Sequence, residues 1–374
     1  VRTKSDLTSF ERFRLAVSHR QPDRPPIQVY LTGEARAKLA AHFGRRTGSQ
    51  AVLSALECDF RYFCNPYDLS TYRGPRPALP AGCDSVDAWG VGYRNTRNEH
   101  GCYREATHLA LAQVETMEQV RDYPWPRAAD FDFSGVADAC RKARPYVRVL
   151  GGPGVLDIVN GVGSRGRGME RVICEIMSGD EVGVAIIDRV VDFYYEYCRR
   201  ALEACAGEAD VLHFGEDCGT QLGPLFPPAI FRSFFVPRIR RFVDLAHHYG
   251  AVCMFHSCGS VRALYPDLIG LGIEIHDSAQ PEPAGMNPAA LKAEFGDRLA
   301  WCGFISTQRT LPLGSADECR AEAEERLRVM GARGGYIFAP AHNIQGDVPL
   351  ANVLAIYEAA TGRDLGSGDC EDKV

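Results

Sequence analysis

No uninterrupted apolar run in the chain approaches the roughly 18 residues that a membrane-crossing helix requires, so a helical membrane span is excluded. Charge of one sign is also lacking. Lys and Arg number 42 against 48 Asp and Glu, for a net charge of -6, and no long basic stripe is present to track a phosphate backbone. Neither nucleic acid nor a membrane is therefore expected as a partner. Several short catalytic signatures are missing as well: there is no H-E-x-x-H, no P-loop and no G-x-S-x-G elbow. GVGSRG at 161–166 has the spacing G-x-G-x-x-G, but it lacks the preceding strand and tight βα context in which such a loop cradles pyrophosphate.

Cysteine, by contrast, is plentiful. The 14 cysteines are scattered with no secretory segment before them, a pattern of reduced thiols that points to a cytoplasmic setting. The opening VRTKSDLTSFERFRLAV reads as a surface helix behind a loose leader, not a signal peptide. With 374 residues, 45% of them hydrophobic and 24% charged, the chain has the composition of a globular fold and the length for one large domain or two small ones. Arg165, Arg167 and Arg171 form its one compact basic cluster, open to reading as a solvated surface or as an anion site.

Patterning predicts repeated βα units. Strand candidates fall at 27–31 (IQVYL), 146–152, 211–217, 251–258, 273–277, 299–305 and 336–340, and most are separated by helical stretches of about ten residues or more. Residues 61–105 are rich in Gly, Pro and aromatics and read as short strands and loops over one mouth of the fold. Alternation alone fits either a doubly wound sheet or a barrel. The polar residues decide between them: His213 with Glu216 and Asp217, His256 with Cys258, His276 with Asp277, Ser306 with Gln308, and His342 with Asn343 all fall at successive strand ends. One site assembled from several strand ends is the habit of a (β/α)8 barrel. The expected division is an N-terminal helix and leader over 1–26, a barrel over 27–362 and a flexible tail over 363–374.

In VCMFHSC at 252–258, His256 and Cys258 share the parity of Val252 and Met254, so an extended strand turns both to one face near its C-terminal end. An imidazole and a thiolate make half of a zinc site once the strand end bends, which Gly259 permits. His342, in FAPAHNIQGD, is a second polar interruption just past a strand and completes the predicted metal set of His256, Cys258 and His342. Glu216 and Asp217 are adjacent, so at most one is expected to enter the barrel. With His276 they are the candidate catalytic groups, while Gln221, Gln308 and Asn343 are candidate cofactor-binding walls. His247 and His248 sit late in a helix, where the helix dipole accounts for them.

GEDCGTQLGPLFPP at 215–228, FHSCGSVRALYPDLIGLGIE at 255–274, LKAEFGDRLAWCGFISTQRTLP at 291–312 and IFAPAHNIQGDVPLANVLAIYEA at 337–359 resemble blocks of the uroporphyrinogen decarboxylase superfamily, which includes zinc-dependent methyltransferases acting with corrinoid proteins. The start, RFRLAVSHRQPDRPP, carries fainter similarity. The resemblance implies a (β/α)8 barrel with its pocket at the C-terminal mouth. The decarboxylase branch expects an R-Q-A-G-R segment and an aspartate in an F-S-D setting; here VYLTGEARAKL and LECDFRYFCNPYD stand instead, offering Asp59 and Asp68 in other contexts. The H-x-C motif of the methyltransferase branch falls on His256 and Cys258, and its further cysteine, in a P-G-C-G-like setting, falls on His342. For this chain the resemblance implies Zn²⁺, a small methyl donor or acceptor, a corrinoid supplied by a partner protein, and a homodimer. A metal-independent decarboxylase acting on an acidic substrate and a non-catalytic ligand-binding barrel are the alternatives.

Overall fold

In the computed structural model, residues 7–44 and 49–366 are described; the first six residues of the predicted leader and residues 367–374 of the predicted tail lie outside the described residues. Strand β1 (Phe60–Phe63) is followed by an excursion containing β2 (Ser85–Val86), β3 (Gly92–Asn98) and β4 (Gly101–His108). The chain then returns through β5 (Val147–Leu156), β6 (Val211–Gly215), β7 (Val252–His256), β8 (Ile275–Ala279), β9 (Ala300–Ile305) and β10 (Tyr336–Pro340). β1 and β5 to β10 pair in parallel in the order β1-β5-β6-β7-β8-β9-β10, while β2, β3 and β4 form a separate antiparallel sheet. Helices follow the strands and cover the curled sheet, the α/β architecture that the strand-end polarity predicts.

The ladder itself does not close into eight strands. IQVYL at 27–31, predicted as the first strand, forms only isolated bridges, Ile27 to Phe338 and Leu31 to Ile344, and accepts one bond on its other side, from Asp59 N–H to the Ile27 carbonyl at 2.8 Å. It lies in the gap between β10 and β1 without becoming a ladder strand. Side chains take the amides a ladder would use: Ile27 N–H donates to Asp59 Oδ2 at 2.7 Å and Val29 N–H to Gln28 Oε1 at 2.9 Å. Pro25 and Pro26 just before it have no N–H to give.

β1 escaped the pattern because FRYF carries a charge at its second position. Arg61 is nevertheless buried, its guanidinium donating to the carbonyls of Cys58 (2.9 Å) and Phe60 (2.8 Å) and lying 3.6 Å from the Tyr146 ring centroid. Past β5 the chain passes through a π-helical segment, Ile158–Arg167, and becomes α-helical at Met169–Ser178. The basic cluster there is internal: Arg167 and Arg171 both bond the Glu175 carboxylate, and Arg165 reaches Asp157 at 2.8 Å. The 25-residue helix Glu181–Cys205 buries Ile186, Ile187, Val190, Val191, Tyr194 and Tyr197 along one face. Among the described residues no helix is long and apolar enough to cross a membrane, and the described cysteines are free thiols.

Asp59, just ahead of β1, fastens the N-terminal segment to the barrel. Its fully buried carboxylate accepts from Arg12 Nη1 (2.9 Å), Arg24 Nη1 (2.7 Å), Ile27 N (2.7 Å) and Ser9 Oγ (2.6 Å). Truncating Asp59 removes a buried partner of Arg12 and Arg24, leaving Arg12 on Asp23 and Arg24 on the more distant Glu57. Asp59→Ala is expected to lower unfolding free energy by about 3–5 kcal/mol in urea titrations. A loss near that of a surface substitution would show that Arg12 and Arg24 find other partners.

Candidate metal centre

Strand register sets the geometry at the C-terminal mouth. Gly215 of β6 pairs with His256 of β7, His256 with Asp277 of β8, and Asp277 with Cys302 of β9. In a parallel sheet such partners turn to the same face, so His256, Asp277 and Cys302 stand side by side inside the curl. Beyond β6 and β7 the chain turns at Gly219 and Gly259. A Cβ on Gly259, whose φ is +82°, would lie 2.5 Å from the Gly219 carbonyl carbon, so only glycine lets the two loops meet and bring Cys258 against Asp217.

His256 Nδ1 lies 3.0 Å from Asp277 Oδ2. An ionised carboxylate only accepts, so Nδ1 carries a hydrogen; in the neutral ring that a metal would bind, Nε2 is left with the lone pair toward the mouth. Burial would raise the Asp277 pKa, but contacts from His213 and His256 outweigh it and hold the carboxyl well below its usual range. On His256 burial works against the charged form, and Asp277 and Cys258 override it to push the pKa well up. The other Asp277 oxygen accepts from Tyr30 Oη at 2.8 Å, a phenol whose own pKa is raised by burial and by the aspartate. Tyr62 continues the network, lying 3.3 Å from Tyr30 Oη and 3.2 Å from His213 Nδ1 and accepting from Gln28 Nε2 at 2.9 Å. His213 Nε2 comes within 3.1 Å of Asp277 Oδ2 yet is not aligned for a hydrogen bond. Burial lowers its pKa.

Above this layer, Asp217, His256 and Cys258 offer an oxygen, a nitrogen and a sulfur within 4.8 Å of one another. His256 Nε2 is 3.7 Å from Cys258 Sγ and 3.6 Å from Asp217 Oδ1. Tetrahedral zinc, with bonds of about 2.3 Å to sulfur and about 2.0–2.2 Å to nitrogen or oxygen, has ligand-to-ligand edges of about 3.4–3.6 Å. The donor set fits such an ion in both chemistry and spacing. Asp217 is held in place, accepting from Cys258 N–H at 2.8 Å and Asn160 Nδ2 at 2.6 Å. His213, His256 and Asp277 also converge, but His213 is fully buried and Asp277 is already bonded to His256 and Tyr30, so that group is the supporting layer.

The sequence profile of the Uroporphyrinogen decarboxylase (URO-D) family matches residues 112–362. The chain belongs to that family. A stretch of 136 residues is 32% identical to "Methylcobamide:CoM methyltransferase MtaA" of Methanosarcina barkeri, covering 36% of this chain and 37% of that protein, and the same enzyme from the Fusaro strain matches equally. The chain thus spans little more than a third of the length of these curated relatives. Among solved structures, a methyltransferase from Methanosarcina mazei superposes with a TM-score of 0.64 over 96% of this chain and 99% of that one, at 18% identity. The barrel is therefore of the URO-D type, with the gap between β10 and β1 bridged as described.

Within this URO-D fold the predicted site residues separate. His256, Cys258 and Asp217 come together. Glu216 turns the other way: its buried carboxylate accepts from the amides of Ile158 (2.6 Å) and Val159 (3.0 Å), closing the turn after β5. Burial, and then Asp157, push its pKa well up. His276 pairs with Phe255, off the inner face; its Nε2 is 3.0 Å from the Ser257 carbonyl and its Nδ1 3.0 Å from Tyr265 Oη. Both ring nitrogens are engaged and burial lowers the pKa to about 4, so this neutral ring steadies the segment leading to Cys258. His342 stays in the open mouth, exposed to solvent, and forms no three-ligand group with His256 and Cys258 among the described residues. Desolvation by the surrounding walls, then the charge on His256, lower its pKa. Asn343, Gln221 and Gln308 are exposed on loops.

Sequence reasoning missed Asp277 as the partner of His256, together with Tyr30 and Asn160. Parity within one strand cannot say which of two neighbours on the next strand shares its face; register does. Asp277→Asn is expected to weaken zinc binding at this centre by about 10–100-fold, the usual cost of losing a carboxylate behind a histidine ligand, as read by competition with a chromophoric chelator. Unchanged affinity would mean that His256 is oriented without Asp277.

Proposed function

We propose that the chain is a methyltransferase that moves a methyl group between a small methylated substrate or thiol and a corrinoid presented by a partner protein, using zinc held by Asp217, His256 and Cys258. The observation that carries this reading is the meeting of oxygen, nitrogen and sulfur donors at the mouth, over a carboxylate that fixes the histidine tautomer. Similarity to a methylcobamide:CoM methyltransferase supports the reaction class. Bound there, zinc supplies a Lewis acid that keeps a thiol ionised at neutral pH or polarises a substrate heteroatom.

The chain's own groups do the rest. Asp277 holds the proton on His256 Nδ1, Asn160 and the Cys258 amide hold Asp217, and Tyr30 fixes Asp277 by donating to its other oxygen. His342 and Tyr62, both open to solvent, stand where a substrate enters and contact it instead of the metal. The excursion after β1 is anchored beside the mouth through Tyr67, whose hydroxyl donates to the Gly154 carbonyl at 2.6 Å, and its Trp89 packs on Phe193 and Tyr194; this aromatic wall limits water at the reacting groups. Asp217 and Asp277 gather acid near the mouth, with Asp157 beside them paired to Arg165. That balance suits a cation and opposes the multiply carboxylated substrate of a URO-D-type decarboxylase.

Cys258→Ser and Asp217→Asn are each expected to remove about one zinc per chain and to abolish methyl transfer from methylcobalamin to a small thiol. His342→Ala should keep the zinc and raise KM. Full transfer activity in zinc-depleted Cys258→Ser protein would defeat the reading.

A further inference from the structure

At the opposite, N-terminal face of the barrel, three residues converge that the proposed reaction does not use. His247 lies in the last turn of the helix Val236–His248, Cys253 is the second residue of β7, and Glu274 immediately precedes β8. Their donor atoms all lie within 4.8 Å of one another. His247 Nε2 is 3.2 Å from Glu274 Oε1 and 3.6 Å from Cys253 Sγ, against edges of about 3.4 Å and about 3.6 Å for tetrahedral zinc with one oxygen, one nitrogen and one sulfur ligand.

The arrangement is built, not incidental to a flexible surface. Cys253 is fully buried, and its N–H donates to Glu274 Oε2 at 2.8 Å, which leaves Oε1 turned toward the imidazole. Gly272, with φ of +97°, lies so near that a Cβ there would sit 3.0 Å from His247 Cε1; the ring occupies the space a side chain would need. The helix dipole favours a charged His247 but does not account for a buried thiol and an acid meeting the same ring nitrogen. The half-exposed His247 and Glu274 side chains leave a fourth position for water.

We propose that His247, Cys253 and Glu274 form a second divalent-metal site, selective for a thiophilic ion such as Zn²⁺, that clamps the end of one barrel helix to β7 and β8. The face opposite the mouth is where a barrel serves stability and not chemistry, and metal held only by the folded chain stabilises it by mass action. The site is independent of the centre at Cys258.

Full-length chain stripped of metal and reloaded with Co²⁺ tests this. Cys258→Ser protein is expected to keep about one cobalt per chain with a near-ultraviolet thiolate-to-cobalt band, and Cys258→Ser/His247→Ala to lose both at least about tenfold, with unchanged circular dichroism because His247 is half-exposed. Cobalt should also raise the Tm of the single variant and not that of the double. Absence of the thiolate band in Cys258→Ser, or its survival in the double variant, would overturn the proposal. Since Cys258 is missing from both proteins, either result stands apart from the fate of the proposed methyl transfer.

Discussion

The bond between His256 Nδ1 and Asp277 Oδ2 is the contact on which the mouth depends. It exists because β7 and β8 pair in parallel with these two residues opposite each other, and it commits one ring nitrogen so that the other is free. An aspartate so deeply buried is costly unless its oxygens are satisfied. Tyr30 and His256 satisfy them, with His213 3.1 Å away, and this gathers the bridging segment 26–32, β6, β7 and β8 around one carboxylate.

That dependence explains why the barrel tolerates an irregular closure. The segment in the gap between β10 and β1 gives up ladder bonds, but it places Gln28 and Tyr30 on the polar network and receives its fixation from Asp59. Asp59 and Asp277 are thus two buried carboxylates with different tasks. The first holds arginines and main chain, and the second orients a histidine at the mouth. The adjacent pairs Glu216/Asp217 and His276/Asp277 follow the same logic. In each pair one residue serves the framework with every polar atom engaged, while its neighbour faces the interior, because neighbours in an extended strand point to opposite sides.

Much of the architecture was legible in one dimension. Short, mostly apolar runs at β5 through β10 survive as strands bounded by turns, although β5 carries a charge at Arg148. The polar residues ending them gather at one mouth, as the barrel reading requires. β1 was not legible because Arg61 breaks its pattern while finding carbonyl acceptors and an aromatic face inside the fold. The segment 27–31 misled for the opposite reason: its residues suit a strand, but the amides of Ile27 and Val29 are captured by side chains. His256 and Cys258 were readable from parity and from a glycine that permits the bend. His342 was read as their companion from its place after β10, yet its ring stays in the open mouth and Asp217 occupies the position beside them.

The sequence by itself determined the βα alternation, the parity that puts His256 and Cys258 on one face, and the family, since these are encoded within single segments a few residues long. Tertiary structure decided which acid faces the histidine, which histidine has both ring nitrogens engaged, and that His247, Cys253 and Glu274 meet at the far face. Those outcomes depend on register between strands and on loop closure, and most of them join residues 21 to 247 positions apart whose separation carries no local pattern.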